Sequence, residues 1–83
     1  MSRRSVMDIY FDVLEVIDKG THMPTRIMYE TNLSWNSLCG VFEALLKIDF
    51  IRKEKKGNRK RYYLNQKGRN ALLYHLKSLE DLI

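Results

Sequence analysis

Ten consecutive residues, 52–61 (RKEKKGNRKR), hold seven of the fifteen Lys and Arg in this 83-residue chain and a single acid. Their local charge is +6 where the whole chain carries +5, so the other 73 residues sum to −1. Cationic charge gathered into one short segment suits a polyanion, because each ammonium or guanidinium can displace a counterion from a phosphate. Lys53, Lys55, Lys56, Arg59, Lys60 and Arg61 are the expected phosphate contacts, with Asn58 at the turn among them; the bland alternative is a solvated lysine-rich surface. A second group, Ser34, Trp35, Asn36, Ser37 and Gly40, has side chains of the kinds that reach base edges. Serine hydroxyls contact bases or phosphates, a carboxamide can pair with adenine, and an indole can pack on a sugar or a thymine methyl. No Lys or Arg lies between Leu33 and Val41, so strong guanine readout is not expected there. Any sequence preference would then be modest or lean on DNA shape. Thr25, Arg26 and Tyr29 offer further backbone contacts, with a packing role equally open to Tyr29.

Other chemistries lack their residues. Cys39 is the single cysteine and His22 and His75 are the two histidines, so neither a zinc-type ligand cluster nor an intrachain disulfide is expected. Cys39 itself reads as a small buried residue. The acids are scattered over amphipathic segments, no Gly-rich phosphate loop exists, and neither histidine has an evident partner. The expectation is a binding protein and not an enzyme, with no metal, cofactor or small-molecule ligand. Arg3 and Arg4 precede an apolar stretch in the manner of a signal peptide, but Asp8, Asp12 and Glu15 interrupt it. Nowhere do 18 apolar residues run together, so no membrane partner is expected and the location reads as cytoplasmic.

The elements that must position these groups follow from caps and periodicity. Residues 5–19 read as a first helix, with Ser5 as cap, Asp8 in the first turn and Gly20 just past the end. Val6, Ile9, Tyr10, Val13 and Ile17 recur at helical spacing as a core face. Met7, Phe11 and Leu14 make a second stripe, more than a lone surface helix needs. Residues 24–31 read as a short second helix opened by Pro24, with Met23 or Thr25 as an imperfect cap. Asn32 suits a left-handed turn, and Ser34 caps a third helix over about 35–48, with Leu38, Phe42, Leu45 and Leu46 facing inward. Phe50–Glu54 and Arg61–Leu64 read as two strands around the turn-prone Gly57-Asn58, with Tyr62 and Leu64 facing the core and Tyr63 outward. Asn65 then caps a last helix over about 66–83. Leu72, Leu76, Leu79 and Ile83 step by 4, 3 and 4 along it, a coiled-coil-like seam. The order is helix, helix, helix, hairpin, helix. It is mainly α with a small β-hairpin, the winged helix-turn-helix arrangement, expected as one domain over residues 1–83.

Three segments also carry a family likeness. PTRIMYETNLSW, LLKIDFI and YYLNQKGR resemble archaeal winged-helix proteins, predicted transcriptional regulators related to the Sulfolobus winged-helix chromatin proteins. The match covers roughly residues 20–72, and its first block, Thr25 to Tyr29 with Asn32 to Trp35, is the specific part. Asp49 stands where that family usually has Gly, and Asn65 replaces its usual Thr. The resemblance implies a winged-helix fold, DNA binding and, often, dimerisation through a long terminal helix. Here that helix spans about five turns by the usual rise, shorter than in the chromatin members, which favours a compact regulator over an architectural role. Short relatives also occur in archaeal viruses and plasmids, so a host-cytoplasm location goes with a virus-encoded origin.

The expected partner is double-stranded DNA, met by a homodimer whose interface draws on Met7, Phe11, Leu14, Leu72, Leu76, Leu79 and Ile83. The alternative for that seam is that the last helix folds back on the first within one chain. Two further functions stay open at this point, a non-specific architectural DNA-binding protein and a winged helix used for protein contact.

Overall fold

The computed structural model describes residues 5–81. In chain order these form α1 (Val6–Asp18), α2 (Pro24–Thr31), α3 (Trp35–Lys47), β1 (Ile51–Lys56), β2 (Arg59–Leu64) and α4 (Gln66–Asp81). The first three helices end in one way. After each, a residue with positive φ turns the chain: Gly20 at 107°, Asn32 at 57° and Asp49 at 64°. In each case the next backbone N–H reaches five residues back, Thr21 to Val16, Leu33 to Met28 and Phe50 to Leu45. Such closures satisfy the last carbonyls of a helix and set the direction in which the chain leaves. Asp49 thus does the work expected of glycine. At the starts, Ser5 and Asp8 form a reciprocal capping box on α1, and Ser34 Oγ accepts from the Ser37 N–H on α3. The start of α2 has Met23 at the cap position with no side-chain bond and Pro24 in the first turn. Within the last turn of α2 the buried Thr31 donates its hydroxyl proton to the Ile27 carbonyl at 2.7 Å.

The strands pair antiparallel around a two-residue turn, with Gly57 at φ 62°, and run further toward that turn than sequence suggested. A positive φ at the first central position is what a tight hairpin turn of the II′ kind requires. The base of the hairpin is apolar. Ile51, Tyr62 and Leu64 join Leu38, Val41, Phe42 and Leu45 of α3, Val13, Leu14 and Ile17 of α1, Ile27 and Leu72 in one core. Phe42 and Tyr62 stack at 3.8 Å, tying α3 to the wing. Such a pair contributes about 0.5–1.5 kcal/mol beyond its buried area.

Two expectations need correction. Leu14 and Leu72, assigned to an intersubunit seam, are buried within their own chain, because α4 folds back antiparallel on α1. The pairing is fixed by Asp18 to Arg69 at 3.6 Å and by Phe11 stacked on His75 at 3.9 Å. Phe11 and Leu76 are partly buried against the same core. Val6, expected inward, is exposed in the first turn of α1. Asn65 precedes α4 as expected, but its side-chain amide donates to Asp49 at 2.9 Å and so clasps the two ends of the hairpin. Gly68, one turn into α4, lies against the Phe50 carbonyl with no room for a Cβ. Ile83, the last residue of the proposed seam, lies outside the described residues.

Candidate nucleic-acid interface

The wing emerges beside the tip of α3. Because alternate residues of a strand face opposite ways, the register sorts the cations onto two faces. Lys53 opposite Tyr62 and Lys55 opposite Lys60 continue the face that begins with the buried Ile51–Leu64 pair. Lys56 opposite Arg59 and Glu54 opposite Arg61 lie on the other face, with Arg52 and Tyr63 at its base. Arg52 is occupied. Its Nε donates to Glu54 at 2.9 Å, another guanidinium nitrogen donates to the Leu64 carbonyl, and the group lies over the Tyr63 ring. The six cations singled out from the sequence are exposed and make no ion pair among the described residues.

Trp35 connects helix and wing. A cleft of about 260 Å³ is walled by Met23, Pro24 and Thr25 from α2 and its approach, Trp35 from α3, and Asn58 to Arg61 from the wing. A second cleft on the other side of Trp35 is lined by Cys39, Phe42 and Leu46, with Glu43 of α3 and Lys53 and Lys60 at its edge. Helix tip and basic finger therefore open on one side of the molecule, as a joint grip on a duplex needs. Burial pushes the Tyr62 hydroxyl above the ordinary tyrosine range, with the neighbouring Cys39 a lesser cause, so it stays neutral under the basic rim.

The remaining candidates spread around this centre. Ser34, Asn36, Ser37 and Gly40 are exposed on α3, while Trp35 keeps 47% of its surface open. Thr25 lines the first cleft. Arg26 lies on the flank, in a depression shared with Gly20 to Met23 and Arg61. Tyr29 stands 78% exposed and lines neither Trp35 cleft, which removes it from the core. Sequence reasoning missed His22. Its carbonyl accepts from Tyr62 N–H at 3.0 Å and its Nδ1 donates to the Tyr62 carbonyl at 2.8 Å, so it flanks β2 like a one-residue third strand. A carbonyl only accepts, which fixes the proton on Nδ1. The ring also leans on Tyr63 at 4.3 Å, aiming the wing.

Among the described residues no group of His, Cys, Asp and Glu could hold a metal ion, and no helix is long and apolar enough to cross a membrane. No buried side-chain polar atom there lacks a partner, so the open hydrogen-bonding capacity is on the surface.

Known proteins share this design. An uncharacterized protein of Methanocaldococcus jannaschii is 32% identical over 76 residues, 89% of this chain and 74% of that protein. Sso10a-2, a DNA-binding protein from Sulfolobus solfataricus, superposes with a TM-score of 0.76 at 24% identity, over 95% of this chain and 85% of the other. The homodimeric winged helix-turn-helix DNA-binding domain of a Mycobacterium bovis protein gives 0.74 at 14% identity, over 92% and 70%. At such identities the structural likeness is one of fold. The model of the winged helix-turn-helix family matches residues 3–83, and with the helix-turn-helix, wing and terminal helix all in place the chain belongs to that family.

Proposed function

We propose that this protein binds double-stranded DNA as a homodimeric transcriptional regulator. Each subunit sets α3 into a major groove and lays its wing on the adjoining backbone or minor groove. The observation that carries the reading is the shared cleft of Trp35 and residues Asn58 to Arg61. A helix fits the major groove, and the residues near its N-terminus are those that reach bases. The DNA-binding relative from Sulfolobus and the homodimeric domain from Mycobacterium bovis support the reading by fold. If about four to six phosphates are neutralised per subunit, log affinity falls against log salt with a slope of about −4 to −5, doubled for a dimer.

One feature favours a second reading, a sequence-independent architectural binder: the exposed tip of α3 carries no cation to fix a guanine. Titrating a random duplex and promoter fragments of the source genome at two salt concentrations separates the two. A cognate fragment held about 10³-fold or more tightly marks a regulator. Equal, salt-sensitive affinity marks the architectural binder, and no binding at low salt removes DNA from the account.

A further inference from the structure

The exposed tip of α3 has few groups left to read a base. Ser34 accepts from the Ser37 N–H at 3.1 Å and donates its hydroxyl proton to Ser37 Oγ at 2.9 Å, so it is spent on the cap. The only basic residue of α3 is Lys47, at its far end. What remains near the tip is the Asn36 carboxamide, exposed and without a hydrogen bond among the described residues, the half-open Trp35 indole, and the Ser37 hydroxyl, which accepts from Ser34 and keeps its own proton to donate.

Gly40 lies one helical turn beyond Asn36, on the same face. Neither its backbone nor its neighbours require glycine. Its φ is not positive, and a Cβ built there meets nothing within 4 Å. Glycine inside a helix weakens it relative to alanine. A residue that the fold would be better without points to something outside the chain that must come close.

We propose that α3 selects A·T pairs, with the Trp35 indole against the thymine C5-methyl, the Asn36 carboxamide on adenine, and Gly40 admitting the duplex to contact. This rests on the reading of α3 as the groove helix. The chemistry follows from what each base shows there: adenine offers N7 and N6–H₂ to a carboxamide, and thymine alone offers a methyl. Guanine's two acceptors find no cation.

The test compares three duplexes of equal length at one salt concentration. They are an A·T-rich duplex, a G·C-rich one, and the A·T-rich duplex with every thymidine replaced by deoxyuridine, which removes the methyl and keeps the pairing. The wild-type protein should bind the thymidine duplex about fourfold more tightly than the deoxyuridine one for each methyl contacted, and the G·C-rich duplex least. W35A, with its circular dichroism unchanged, should bind the thymidine and deoxyuridine duplexes alike. Should W35A fail to fold, the wild-type comparison decides alone. Equal wild-type affinity for the thymidine and deoxyuridine duplexes overturns the Trp35–methyl contact, equal affinity for the A·T-rich and G·C-rich duplexes overturns A·T selection altogether, and either leaves DNA binding intact. No affinity for any duplex at low salt overturns both.

Discussion

Gly40 and Asp8 show how single residues separate folding from function. Gly40 has free space where a Cβ would stand and an ordinary helical backbone, so alanine there should only help the fold. We expect G40A to stabilise the protein by about 0.5–1 kcal/mol and to raise its melting temperature by several degrees. The same variant should bind duplex DNA more weakly, because the added methyl stands between α3 and the groove. A G40A protein no more stable than wild type would show that glycine serves the helix itself. Asp8 is a folding residue. Hydrogen bonds from the Ser5 backbone and side chain hold its carboxyl below the ordinary aspartate range. A carboxylate whose pKa is lower folded than unfolded stabilises fully above the unfolded value of 3.8, and that contribution is lost as pH falls through the folded value. The stability gap between wild type and D8A, read from denaturant midpoints, should therefore be constant from neutral pH to about 5 and close in the acid range below 4. A gap unchanged at pH 2 would mean that the carboxylate's charge plays no part in the cap.

At the scale of elements, the wing carries a conflict that its proposed partner would relieve. Lys55 faces Lys60 and Lys56 faces Arg59, two like-charge pairs at the outer end of the hairpin. Directly opposed like charges destabilise a strand pair by a few tenths to about 1 kcal/mol, and phosphates between them would reverse the sign. K55E turns one repulsive pair into an attractive one, so it should raise thermal stability slightly while lowering DNA affinity. Reversing Lys55, Lys56, Arg59 and Lys60 together should abolish binding with the circular dichroism unchanged. Retained affinity in that variant takes the wing out of the mechanism. Most of this element could be read in advance, because the basic run, the Gly57-Asn58 turn and the alternation of Tyr62, Tyr63 and Leu64 are local signals. The helix boundaries were equally legible from Ser5, Pro24, Ser34, Gly20 and Asn32, while Asp49 drew notice only through the family likeness. What stayed hidden was through-space. Periodicity showed that Leu14 and Leu72 face something apolar, but not that they face each other's helices within one chain. His22 and Asn65 looked like loop and cap, yet they fasten the wing and the hairpin ends through partners 40 and 16 residues away in sequence.

Over the whole molecule, the α1–α4 pair sets where a second copy would join. Counting outward from the Asp18–Arg69 and Phe11–His75 contacts at 1.5 Å per residue, the next level brings Met7 beside Leu79. Both are open, at 58% and 47%, and Val6 is exposed next to them. The inner part of the apolar seam is thus consumed within the chain, and its outer part ends in an uncovered apolar patch. A two-fold axis at that end would bury each patch on its copy. The protein should then sediment at twice its 9.9 kDa chain mass at micromolar concentration. Met7→Asp with Leu79→Asp should return it to one chain mass with α-helical content intact, since neither residue is in the buried core. The same double variant makes a sharper prediction on DNA. Each subunit keeps its wing and recognition helix, so binding should persist, weaker, with the salt slope falling from about −8 to −10 toward −4 to −5. Halving of mass and slope together would place the dimer contact at this end. A wild-type protein that sediments at a single chain mass would instead make the monomer the binding unit.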